Sequence, residues 1–380
     1  MDRRKFLIGA GALGVLVLGA GAVVSTRDID QARQPWRFAA GDFEDPRMHA
    51  LAQAILAPNP HNRQPWLIEL EGSDRLRLLP DLDRMLPETD PPNRQITIGF
   101  GAFLELLRQA ASVTGHQLVI DRFPRGSDAA SLDPRPIAEV IFEPAGILAD
   151  PLAGTILNRR TTRAPFDKQR PVPSEVMGRI AQRAAAGDGF SFTSEPKQVK
   201  GLTALNRKGW EAEFGTEATH AESTRLTRIG ASEVNANPDG ISLYGPAPEI
   251  AGATGLISRS SMKEEGSFAA GQVLNFYLDV LDATATYAWL VTPGNSRQEQ
   301  LDAGAHWVRI NQAATAEGVA FHPVSQVLQE FDAMAVHLAE VHRMLAVEEP
   351  ARIQGLFRLG YAPFPEPAPR WPLASRITAA

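Results

Sequence analysis

The sequence predicts an α+β protein built as two similar lobes packed about a pseudo-twofold axis. Three observations lead there. Helix-period and strand-period runs alternate along the chain. A chain of 380 residues with 44% hydrophobic and 22% charged content can bury more than one core. Most tellingly, one helix pattern occurs twice. Gly101-Ala102, six residues, Gln109-Ala110-Ala111, three residues, Gly115 recurs as Gly304-Ala305, six residues, Gln312-Ala313-Ala314, three residues, Gly318. In each half an apolar strand closing on a proline follows, at Pro144 and Pro363. Internal duplication places two like lobes across a shared seam.

In the first lobe, residues 46–150, Met48–Leu56 has helical periodicity and is stopped by Pro58. Trp66–Glu71 and Leu76–Leu79 read as strands around a Gly72-Ser73-Asp74 turn. Gly101–Thr114 is an apolar helix ending at Gly115, and His116–Asp121 and Ile137–Phe142 are strands. The second lobe, residues 151–373, opens with a short helix over Leu152–Asn158. Ser174 caps a helix through Ala186, and Gly189–Thr193 alternates as a strand. Ser267–Leu290, Arg297–Glu317 and Gln326–Leu345 read as long helices, and Leu356–Tyr361 as a final strand. Residues 232–266 are rich in Gly, Pro, Asn and Ser with no sustained period, as expected of a lid, a binding loop or disorder. Residues 27–45 read as a linker.

The N-terminus carries an export pattern. Asp2-Arg3-Arg4-Lys5-Phe6-Leu7 resembles a twin-arginine signal, and nineteen uncharged residues follow, Phe6 to Val24. Residues 1–26 are therefore expected to engage the twin-arginine translocation machinery. The protein would then be periplasmic, or anchored facing outside the cytoplasm. Gly9-Ala10-Gly11-Ala12-Leu13-Gly14 matches a dinucleotide-binding fingerprint inside this run. No second strand with an acidic residue follows at the needed distance, so that reading fails.

Other function classes are narrowed by composition. A net charge of −6 argues against general nucleic-acid binding. Zero cysteines exclude disulfides, thiolate metal ligands and a cysteine nucleophile. The eight histidines show no paired-ligand spacing, and there is no GxSxG elbow or Walker sequence.

The densest polar stretch is Ala57-Pro58-Asn59-Pro60-His61-Asn62-Arg63-Gln64-Pro65-Trp66. Its prolines pin the backbone around amides, an imidazole and a guanidinium, a set suited to the edge of a flat heterocycle. The same composition also describes an ordinary helix-stop loop. Arg159-Arg160-Thr161-Thr162-Arg163 brackets hydroxyls with guanidiniums, a clamp for a phosphate or equally a solvated basic turn. Arg370, in a proline-rich tail, is a further candidate for the same anion.

Together the HNRQPW loop, the repeated GA…QAA…G helix, the RRTTRxPF turn and the RLGYAP…PR tail resemble the nitroreductase superfamily, over residues 46–373. The likeness is to its tandem, FMN-binding Acg branch. It implies a nitroreductase-like fold in which the two lobes form an intrachain pseudo-dimer around one FMN, giving a monomeric flavoprotein. Carried over by position, Arg159, Arg160, Thr161 and Arg163 match the phosphate and pyrimidine turn. Asn62 and Gln64, beside His61, match the amide loop, Arg94 a further flavin contact, and Arg370 a C-terminal phosphate contact. Asn59 stands where the family commonly has serine.

The resemblance implies an oxidoreductase passing electrons through the flavin to a small-molecule acceptor, with no catalytic side chain or metal required. The usual electron donor, NAD(P)H, is not expected outside the cytoplasmic membrane. Either a different donor such as a membrane quinol serves the protein, or it binds flavin without turnover.

Overall fold

A computed structural model describes residues 28–378. Residues 1–26, read as the export signal, lie outside that range.

α1 (Asp30–Phe38) precedes the first lobe, which contains α2 (Pro46–Ala54), β1 (Trp66–Glu71), β2 (Arg75–Pro80), α3 (Arg94–Val113), β3 (His116–Arg122) and β4 (Ala138–Pro144). The second begins with α4 (Ser174–Ala184) and β5 (Phe190–Thr193). A helical insert follows: α5 (Pro196–Gly215), α6 (Glu217–Arg225), β6 (Thr227–Ile229), α7 (Gly230–Ala236), β7 (Ile241–Leu243), α8 (Pro246–Ala253), α9 (Arg259–Lys263) and α10 (Phe268–Asp282). The lobe closes with β8 (Thr286–Thr292), α11 (Arg297–Ala316), β9 (Ala320–Pro323), α12 (Ala335–Met344) and β10 (Arg352–Gly360). A last short strand, β11 (Ile377–Thr378), ends the described chain.

Two sheets carry the duplication. The first has strand order β11-β1-β2-β4-β3 and the second β5-β8-β10-β9. Apart from β11 the orders correspond strand for strand, and neighbours run antiparallel. The tail leaves β10, crosses to the first lobe and pairs β11 in parallel with β1 at Ile68 and Ile377.

The seam between lobes is α3 against α11. A Cβ on Gly101 would overlap the carbonyl oxygen of Leu301, and one on Gly304 would overlap that of Ile98. Only glycine permits backbones to approach so closely. Further along, Gln109 Nε2 donates to Gln312 Oε1 at 3.0 Å, and Gln312 Nε2 donates back at 2.8 Å. The partners are 203 residues apart, so each glutamine meets its own repeat, as a twofold axis requires. The repeated glycines and glutamines are thus the contact residues of the pseudo-dimer.

Several segments differ from expectation. Ser267–Leu290 is α10 followed by β8; Thr286–Thr292 is rich in strand-formers and nearly all buried, so it shows no alternation. Gln326–Leu345 is two 3₁₀ turns and then α12. Residues 232–266 hold three short helices beside the β6–β7 ribbon. The expected linker contains α1, and Leu152–Asn158 holds only a 3₁₀ turn at Ala153–Thr155.

Candidate functional site

The amide loop joins α2 to β1. Three of its residues adopt left-handed backbone, His61 (φ 46°), Asn62 (φ 50°) and Gln64 (φ 51°). Such strain in non-glycine residues persists only where surrounding contacts fix it. Asn59 supplies one such contact, its Oδ1 accepting from Gln64 N at 2.7 Å and its Nδ2 donating to Ala57 O at 3.1 Å. The loop rests on α3 at Gly99, where a Cβ would stand 3.1 Å from that of Asn59.

Its amides face protein rather than an open cleft. Asn62 Nδ2 donates to Pro369 O at 3.0 Å, and Asn62 Oδ1 accepts from Arg370 Nη1 at 2.7 Å. Fully buried Gln64 donates to Pro238 O at 2.8 Å and accepts from Trp371 N at 2.8 Å. Both side chains therefore fasten the loop to the C-terminal tail, and Gln64 also to the helical insert. The expectation places them at a heterocycle edge; the structure gives both amides partners within the protein instead, with one N–H of Asn62 and a lone pair on each oxygen left over.

The arginines converge on the same place. Arg159 Nη2 donates to Leu56 O at 2.9 Å, and Arg370 Nη2 donates to that same oxygen at 3.1 Å. Arg160 Nη1 holds Leu157 O and Arg159 O at 2.8 and 2.9 Å. Arg159 and Arg370 are 2% and 4% exposed, and the Nε of each has no partner. Burial, then neighbouring guanidiniums, pushes both down to about 9, so both still carry charge at neutral pH. Among the described residues no carboxylate pairs with either. Two buried guanidiniums with N–H groups to spare can receive an anion such as a phosphate.

A second group lies around Arg163, which is exposed. Thr162 N donates to Phe321 O at 2.9 Å, docking the turn on β9. Half-buried His61 is pushed down to about 4, first by burial and then by Arg163 and Arg63. His322 is lowered by burial, Arg358 and Arg163. Arg358 Nη1 lies 2.8 Å from His322 Nδ1. A guanidinium can only donate, so His322 is neutral with its proton on Nε2. Thr161 is half-buried within the turn.

The segment 156–361 matches the family model described as the Nitroreductase family. The chain belongs to the nitroreductase family. A Mycobacterium tuberculosis protein provisionally named NAD(P)H nitroreductase acg is 36% identical over 120 residues, 31% of this chain and 34% of that protein. The aligned part thus spans about a third of that relative. A second protein of that organism, also provisionally named an NAD(P)H nitroreductase, is 28% identical over 325 residues, covering 85% of this chain and 87% of its own length. Among solved structures, a nitroreductase with bound FMN from Desulfitobacterium hafniense has a TM-score of 0.34 at 15% identity, covering 60% of this chain and 97% of that one.

Arg94 of this nitroreductase-family chain stands apart from the arginine cluster. Its guanidinium donates to Glu330 at 2.5 Å, Gln354 at 3.0 Å and the Leu328 carbonyl. Its repeat counterpart Arg297 donates to Pro92 O at 2.7 Å and Thr97 at 3.1 Å. The two tie the lobes reciprocally, so Arg94 is spent on the seam and the reading as a flavin contact is corrected.

Sequence reasoning missed Trp36, Pro238 and the Arg358–His322 pair. Arg358 had a signal, a charged residue inside an otherwise apolar strand run. Pro238 had none.

Proposed function

We propose that the chain is an exported FMN-binding oxidoreductase that holds one flavin at the lobe interface and passes electrons to a small-molecule acceptor. The observation that carries this reading is the meeting of Arg159 and Arg370 on Leu56 O beside the amide loop, buried and without a counter-charge. The turn, the tail and the first-lobe loop come from three distant parts of the chain. Family membership supports flavin as the ligand that brings them together. Arg159, Arg160, Thr161 and Arg370 would hold the phosphate. Asn59 and His61 border the ring side, where Arg163 offers a cation. Bound there, FMN would supply a two-electron carrier, and Arg163 would favour its anionic reduced form.

A second reading, flavin binding without turnover, is favoured by one feature. The amides of Asn62 and Gln64 are locked to the tail and the insert, closing the loop from that side. Purified full-length protein should carry flavin absorbance, or acquire it with FMN. Reduction by a quinol, nicotinamide or dithionite-linked donor, then reoxidation by a nitroaromatic or quinone, supports the enzyme. Flavin that cannot be cycled leaves the binding protein, and protein that takes up no FMN sinks both. Export is part of the proposal and rests on Arg3, Arg4 and the apolar run after them. Replacing both by lysine should retain the chain in the cytoplasmic fraction.

A further inference from the structure

The anion cluster has a wall that lies outside both the matched segment and the duplicated lobes. α1 lays the buried ring of Trp36 against two of the arginines. Arg160 Cζ stands 4.7 Å from the indole centroid and Arg370 Cζ 5.7 Å. Trp36 Nε1 donates to Ala368 O at 2.8 Å, and Arg370 N donates to Ala32 O at 2.8 Å. Arg33 Nε adds a bond to Pro367 O at 3.1 Å. The helix thus grips the tail at 367, 368 and 370, the stretch that delivers Arg370. Its other side is anchored on the insert. Ile29 and Ala32 pack with Ala231 and Val234 of α7, and Ala32 N donates to Asn235 Oδ1 at 3.0 Å.

We propose that Trp36 is a positioning residue for the cofactor phosphate, setting the guanidinium planes of Arg160 and Arg370 and shielding their contacts from water. This rests on the FMN reading above. Like-charged guanidiniums crowded together repel one another, and something must hold them. A carboxylate would do so by neutralising them, and would then compete with the phosphate. An indole face attracts a guanidinium through its quadrupole and consumes neither charge nor N–H groups. It also replaces water beside the arginines, so a phosphate there feels a lower dielectric and a stronger field. The Nε1–H bond to Ala368 O ties the ring to the tail, so ring, Arg160 and Arg370 are fixed as one unit.

FMN and riboflavin differ only by the phosphate, and that difference separates positioning from general stability. Flavin-free full-length protein is titrated with each, following flavin fluorescence, for wild type, Trp36→Leu and Trp36→Phe. Trp36→Leu should weaken FMN roughly ten- to thirtyfold, as expected for lost cation–π support at desolvated guanidiniums, with riboflavin affinity unchanged. Trp36→Phe keeps an aromatic face and should lose less FMN affinity than leucine does. Equal losses for both flavins would assign Trp36 a purely structural role, and no loss for either would remove it from the site; both overturn the proposal. If the leucine variant does not fold, the FMN-to-riboflavin affinity ratio of Trp36→Phe decides, an unchanged ratio overturning it. Wild-type protein that binds neither flavin would instead overturn the FMN reading itself.

Discussion

A charged group stripped of water must be repaid by its surroundings, and the buried arginines and acids of this chain are repaid differently. Arg159 and Arg370 receive carbonyls, and Arg370 an indole face as well, but no carboxylate among the described residues, which keeps them available to an anion. Glu213 on α5 is the acidic case. It lies among Gln326, Gln329 and Ser223, and burial, reinforced by Glu222, pushes its carboxyl up to about 7. Glu213 Oε2 and Gln329 Oε1 both lack partners, and a protonated carboxyl brings a donor to a place where a carboxylate offers only acceptors. The sign follows from linkage. The folded value lies above the unfolded value of 4.5, so between the two the folded state holds the extra proton. Stability from this site is fully present below 4.5 and is lost as pH rises through about 7. The full penalty is about 3 kcal/mol. Glu213→Gln removes the titration, so urea unfolding should show the variant gaining on wild type between pH 5 and pH 8 by up to that amount. A difference that does not change with pH would mean the carboxyl is not held protonated.

At the scale of elements, the α3–α11 seam decides whether the lobes stay together. Gly101 faces the backbone of Leu301, which cannot swing aside as a side chain could. Gly101→Ala should therefore destabilise the chain despite alanine's better helix propensity, by about 3 kcal/mol or more once helix separation adds to overpacking. Gly178→Ala is a fair control, because no atom lies within 4 Å of a Cβ there. A thermal melt in which Gly101→Ala matches that control would refute the close approach. The seam was legible in the sequence because tight contact needs glycine and the repeat displays it twice. β1 and α11 were legible from alternation and helical period. β8 was not, since a strand buried on both faces has no alternation and its apolar run continues that of α10. α1 was hidden by its Pro35 and its short length. Of the site, the amide loop and the arginine turn were visible through their unusual density of planar polar groups. Their partners were not: Asn62 and Pro369 are 307 residues apart, and no local pattern encodes that pairing. Arg94 was misplaced because position within a family motif does not say which carboxylate a folded guanidinium finds.

The whole molecule is a dimer mimic whose symmetry is broken at the candidate site, and the break predicts how many flavins it would carry. Between α2 and β1 the first lobe has the amide loop, Ile55 to Pro65. The equivalent link in the second lobe, between α4 and β5, is only Ala185-Ala186-Gly187-Asp188-Gly189. It turns tightly through left-handed Ala185 (φ 49°) and Gly187 (φ 63°). No asparagine or glutamine is present there to receive a ligand or a tail. The segment after β10 crosses to β1 and brings Arg370 to the first-lobe loop. The mirror position therefore lacks both the loop and the arginine. One FMN per chain is the expected stoichiometry. A monomer is expected with it, since the face that two separate chains would share is already closed between α3 and α11 by Gly101, Gly304 and the paired glutamines. Flavin released by denaturation, measured against protein concentration, and mass by light scattering read both quantities on one sample. Two equivalents per chain would require a second site at the five-residue link. One equivalent per two chains would place the flavin between molecules rather than between lobes. Either result would falsify the split site.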